Sequence, residues 1–131
     1  MPYSILPPGD QSWEERPPIG DGAVRYSLDI TAATGIAESR ARLWRLLPGA
    51  RGRRHAEGAQ EEVFYVVSGA LTMLLGDPPE RVDVESGGIV AVTPGTGIQM
   101  HNTGDVDTVV FAYGAPPVTG QAEYLEDVET P

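Results

Sequence analysis

The apolar residues of this chain fall into short runs, closed by glycine or proline and spaced roughly ten residues apart, the pattern of a sandwich or barrel. Nine runs are predicted as strands: residues 23–30, 39–47, 53–57, 62–67, 71–75, 80–84, 89–93, 98–102 and 108–113. Most contain β-branched or aromatic side chains, which suit a pleated, half-buried surface. Residues 31–36 would fit one helical turn, but Gly35 argues against extending it, so the segment is expected to be a loop. No long helical stripe and no internal repeat competes with the all-β reading.

Alternation along the runs assigns faces. Counting from Glu62, a period of two puts Phe64 and Val66 inside and Glu61, Tyr65 and Val67 outside. Ile98 and Met100 share an inner face, with Gln99 and His101 turned away unless a bulge redirects them. Arg42, Trp44 and Leu46 form one face of their strand, and Leu43, Arg45 and Leu47 the other; with arginine on both, parity does not choose the inner one. His55 and Glu57, two apart, point the same way, and Glu62 returns to the same spot after the turn Gly58-Ala59-Gln60. Three side chains able to bind a metal or move a proton thus converge.

At 131 residues the chain is one domain, with its patterned core at 49–102, an N-terminal arm at 1–22 and a tail at 115–131. Trp13 is the expected anchor of the proline-rich arm, on the barrel exterior or on a partner subunit, and the acidic tail is expected to be solvated at its end. Hydrophobic residues make up 40% and mean hydropathy is −0.19, values of a globular chain. A net charge of −10 argues against nucleic acid and anionic membranes as partners. Without cysteine there is no disulfide and no thiolate chemistry. The first residues do not resemble a secretory leader, so the expected location is cytoplasmic. Arg51, Arg53 and Arg54 form a basic patch beside His55; pairing with surface carboxylates such as Glu80, Asp83 or Glu85 is favoured over attraction of an anionic substrate.

The most patterned stretch is Gly49, His55, Glu57, Glu62 and Gly69. It resembles the first cupin motif, G(X)5HXH(X)3-4E(X)6G, in all its spacings and in every identity except Glu57. The second motif, G(X)5PXG(X)2H(X)3N, lies without gaps on Gly87, Thr93, Gly95, Ile98 and Asn102, with Thr93 in place of proline and Ile98 in place of histidine. The resemblance implies an all-β, double-stranded β-helix jelly roll with a pocket at one open end. It also implies a metal site with a ligand missing: His55, Glu57 and Glu62 are the candidate ligands for Mn, Fe, Ni or Zn, and Ile98 supplies none. Small cupins commonly dimerise, so a homodimer is expected, with Tyr65, Val67 and Trp13 as interface candidates.

Three readings follow. In the first, the chain binds a small molecule in a pocket of His55, Phe64, Ile98 and Met100, retaining a weak divalent metal. In the second, it is a metal-free acid/base enzyme, an isomerase or epimerase in type, with Glu57 and Glu62 as catalytic carboxylates and one of them raised in pKa by the other. In the third, it is a ligand sensor or structural dimer without catalysis.

Overall fold

A computed structural model describes residues 2–117 and 122–131. They form two antiparallel sheets facing each other, the all-β layering expected from the spacing of the runs and the jelly roll that the cupin resemblance implies. In chain order the strands are β1 (Glu14–Arg16), β2 (Arg25–Asp29), β3 (Arg40–Leu46), β4 (His55–Ala56), β5 (Glu61–Ser68), β6 (Leu71–Leu75), β7 (Glu80–Val84), β8 (Ile89–Val92), β9 (Gly97–His101), β10 (Thr108–Ala115) and β11 (Glu123–Tyr124). The first sheet runs β1-β2-β3-β10-β5-β8 and the second β11-β4-β9-β6-β7. No helix among the described residues is long and apolar enough to cross a membrane.

The core lies between the sheets. Leu46, Phe64, Val66 and Val110 of the first sheet meet Leu71, Met73, Ile98 and Met100 of the second, all buried. Leu46 is fully buried, which settles the parity left open on β3: Arg42 and Trp44 face inward with it, and Leu43 and Arg45 face out. Phe64 and Val66 are inside, while Tyr65 and Val67 are exposed, as alternation predicts.

Two expected turns have clear physical roles. Gly69, at φ +74°, links β5 to β6, and a Cβ there would overlap the Asp107 carbonyl oxygen, so only glycine fits the close approach of the two loops. Asn102 is wholly buried; its amide donates to the carbonyls of Leu46 and Val106, and its oxygen accepts from the Gly104 N–H.

Three expectations need correction. Residues Ile30–Thr34 form a short helix, α1, rather than a loop: the Asp29 carboxylate accepts the Ala32 N–H at 3.0 Å, and Gly35 closes the turn at φ +75°. The arm is held less by Trp13, which is 37% exposed, than by β1, whose pairing with β2 extends the first sheet. The tail docks instead of dangling. Tyr124 pairs with His55, the Leu125 N–H donates to the Arg54 carbonyl, and Asp127 and Thr130 reach Gln99 and His101 on the outer face of β9. Gln99 and His101 thus do face away from the core, but the tail covers them.

Candidate functional site

The site begins with the row that runs across the first sheet. Gly114 of β10 lies between Arg40 on β3 and Glu62 on β5, and carries no side chain, so two charged residues look into one space. Two residues along, Ala112 lies between Arg42 and Phe64 in the same way. From the facing sheet, β4 brings His55 opposite Ile98 of β9. These walls enclose a cavity of about 600 Å³, lined by all the residues predicted for it: His55, Glu57, Glu62, Phe64, Ile98 and Met100.

The two carboxylates sit in different surroundings. The Glu57 side chain is 11% exposed and lies 3.8 Å from His55 Nε2. His55 Nδ1 is 2.7 Å from the Arg53 carbonyl, which can only accept, so Nδ1 carries the proton and Nε2 faces Glu57. Glu62 is pushed up to about 7, first by burial, then by the neighbouring charge of Glu57, with Arg40 pulling the other way. A carboxyl group that titrates near neutrality can both give and take a proton.

Of the arginines of this cavity, the sequence pointed only to Arg53, through the basic patch beside His55. Arg16, Arg25, Arg40, Arg42 and Arg53 all line it, five of nine in the chain. Arg25 and Arg16 lie over the ring of Trp44, with guanidinium carbons 5.1 and 6.0 Å from its centroid. Arg25 is displaced downward in pKa, chiefly by burial and then by Arg16, and its Nε is buried with no hydrogen-bond partner among the described residues. Had the inner face of β3 been known, the alternation Arg40, Arg42, Trp44 would have found half of this wall. Gln60, expected in a turn, is buried over Gly114 and donates to the Pro116 carbonyl.

The neighbouring basic patch divides. Arg54 pairs with Asp77 and Arg51 with Asp127 and Asp21, not with Glu80, Asp83 or Glu85. Arg53 alone turns to the cavity, 3.7 Å over the Tyr124 ring.

Do these residues fit the divalent ion that the motifs imply? Among the described residues no three of His, Cys, Asp and Glu are grouped so as to hold a metal. The second-motif position is the apolar, buried Ile98. One imidazole and two carboxylates facing five guanidinium groups are a poor cation site. The donor set does not fit a divalent ion.

The cupin domain family matches residues 42–113. The chain belongs to the cupin family. Among solved structures it is similar to a sugar phosphate isomerase of the cupin superfamily from Silicibacter pomeroyi, with TM-score 0.73 and 25% identity over 86% of this chain and 75% of that one. It is also similar to a provisionally named sugar phosphate isomerase from Acidithiobacillus ferrooxidans (TM-score 0.71, 20% identity, 85% and 74% of the two chains) and to KdgF from a Halomonas species (0.70, 17%, 88% and 96%). The latter two resemblances concern the fold alone. No curated protein matches the sequence. Within this cupin, Ile98 stands at the pocket floor where the family pattern has a histidine, and the site's remaining polar groups are two carboxylates, one imidazole and the arginine wall.

Proposed function

We propose that this cupin binds a small organic molecule in its barrel and moves a proton on it without a metal, as an isomerase or epimerase does. The observation that carries the reading is the placement of Glu62 beside Glu57 in a cavity floored by Phe64, Ile98 and Met100, where its proton is held to about pH 7. Glu62 takes the proton from the carbon next to a carbonyl while the carbonyl oxygen gains a proton, giving an enediol. It returns the proton to the former carbonyl carbon while the adjacent hydroxyl gives up its own and becomes the new carbonyl. Burial and the neighbouring charge of Glu57 raise the pKa of Glu62, which makes it basic enough to act. The apolar floor excludes water from the ligand's carbon skeleton. Similarity to a sugar phosphate isomerase at 25% identity supports the same reaction class.

The test is solvent deuterium uptake by a panel of aldoses, ketoses and their phosphate esters. Uptake at the carbon beside the carbonyl, lost in Glu62→Gln and retained after chelator treatment, is the expected result. Uptake that survives Glu62→Gln, or that requires added Mn, Fe, Ni or Zn, overturns the reading. A homodimer is likewise a proposal, supported by the exposed apolar strip of Val63, Tyr65, Val67 and Ile89 on the first sheet. Sedimentation should give a dimer that Tyr65→Glu dissociates; a monomeric wild type contradicts it.

A further inference from the structure

The chain has nineteen acidic residues, yet the wall formed by β1, β2 and β3 carries four arginines with little to neutralise them. Among the described residues, Arg25 and Arg40 have no carboxylate within ion-pair distance. Arg16 and Arg42 reach Glu14 and Asp29 only at 3.9 Å, and Asp29 also caps α1. Guanidinium groups gathered without partners repel one another and lose hydration, so such a wall is unfavourable unless something else meets it.

We propose that this wall is the subsite for a phosphate monoester group, and that the ligand of the cavity is a small phosphorylated carbonyl compound. Two weakly paired and two unpaired guanidinium groups leave a residual charge of about +2, which matches a phosphate monoester near neutral pH better than a single carboxylate. The donors are also shaped for it. Planar guanidinium forks address adjacent oxygens of one phosphoryl group, and the Trp44 face holds Arg25 and Arg16 in orientation while Arg16 Nε donates to Ser27 Oγ at 3.1 Å. The Nε of Arg25 is buried without a partner among the described residues, as are those of Arg51 and Arg54, but Arg25 alone of the three also lacks a carboxylate within ion-pair distance.

Position completes the assignment. Arg40 and Arg42 share rows of the first sheet with Glu62 and Phe64, one strand apart through Gly114 and Ala112. A phosphate seated on the arginines therefore extends its carbon chain over Phe64 towards the carboxyl of Glu62. Binding energy from the phosphate end would then orient the reacting carbon. The inference rests on the proton-transfer reading only for this orientation.

Calorimetric titration of the purified protein at pH 7.5 tests it, with glycerol 3-phosphate, inorganic phosphate, glycerate and glycerol as probes. Glycerol 3-phosphate is expected to bind tightest, with inorganic phosphate weaker because it lacks the carbon chain, and glycerol undetected. Arg25→Gln and Arg42→Gln should each weaken the ester about tenfold, while Arg81→Gln, an equal change in net charge on β7, shifts it less than about twofold. If Arg25→Gln does not fold, Arg40→Gln supplies the same comparison from a residue without a partner to lose. Glycerate binding more tightly than the ester, or Arg81→Gln weakening the ester as much as the cavity variants, overturns the proposal. Glu62→Gln should still bind the ester. A protein that binds the ester and exchanges no carbon-bound proton keeps this subsite and loses the catalytic reading, so the two fail separately.

Discussion

Two groups of arginines, a few residues apart in sequence, are treated in opposite ways. Under the tail, the Arg54 side chain is 4% exposed and is met by Asp77 and by the carbonyls of Glu126 and Gly76, while Arg51 is met by Asp127 and Asp21. In the cavity, Arg25 and Arg40 have no such partners among the described residues. The first group is what folding does with buried charge: the terminal nitrogens of each guanidinium meet carboxylates or carbonyls, although each Nε is buried without a partner among the described residues, and removing either arginine strands those acceptors. The second group contributes nothing comparable to the fold. Charge that the native structure does not use for its own stability is charge available to a ligand.

The contrast makes a graded set of predictions. Arg54→Ala should have the largest effect, destabilising the protein by about 2–4 kcal/mol in denaturant unfolding, because a buried charge and its hydrogen bonds to two carbonyls are lost together. A change below about 0.5 kcal/mol would place Arg54 with the cavity arginines and break the comparison. Asp127→Ala should follow at about 1–2 kcal/mol, since it removes acceptors from Arg51 at 2.7 Å and Gln99 at 2.8 Å.

Glu62→Gln should act in the opposite direction, and only at one end of the pH range. The folded protein holds the Glu62 proton to about 7, above the ordinary value of 4.5, so native stability falls as pH rises from 4.5 to 7 and the full loss is present above that. Removing the charge should therefore stabilise the protein at pH 8 by about 1–2 kcal/mol, after allowance for solvent screening, and by nothing at pH 4.5. Equal melting of variant and wild type at pH 8 would show that Glu62 is not burdened by its surroundings. Arg40→Gln should have the smallest effect, within about 0.5 kcal/mol at pH 4.5, where Glu62 holds its proton and no carboxylate among the described residues lies within ion-pair distance of Arg40. Substantial destabilisation there would mean that the cavity arginines are structural after all.

Much of the fold was legible because a period of two is strict. Once Glu62 was placed, Phe64, Tyr65, Val66 and Val67 followed, and the spacing from Gly49 to Gly69 fixed a turn that only glycine fits. The carboxylates and His55 were legible for the same reason. The arginine wall was not, because β3 presents Arg42 on one face and Arg45 on the other, and only the burial of Leu46 distinguishes them. Arg16 and Arg25 were beyond reach for a different reason: β1 is three residues long, and its register against β2 is a long-range fact. The docked tail failed similarly. Its acidic composition matched a solvated end, whereas its carboxylates and carbonyls serve arginines more than 70 residues away in sequence. The short helix was a different kind of miss, since both its caps, Asp29 and Gly35, were there to be read.

The central claim is that an anion on the arginine wall and the proton on Glu62 occupy one site, and NMR titration of the Glu62 side-chain carboxyl tests it most directly. Arg40 lowers the Glu62 pKa against the effects of burial and Glu57. Inorganic phosphate bound to the wall offsets that influence and adds negative charge of its own, so with phosphate the Glu62 titration should move above its value in chloride of equal ionic strength, while the exposed Glu61 does not move. A Glu62 titration unchanged by saturating phosphate, or already at the ordinary carboxylate value without it, contradicts the account.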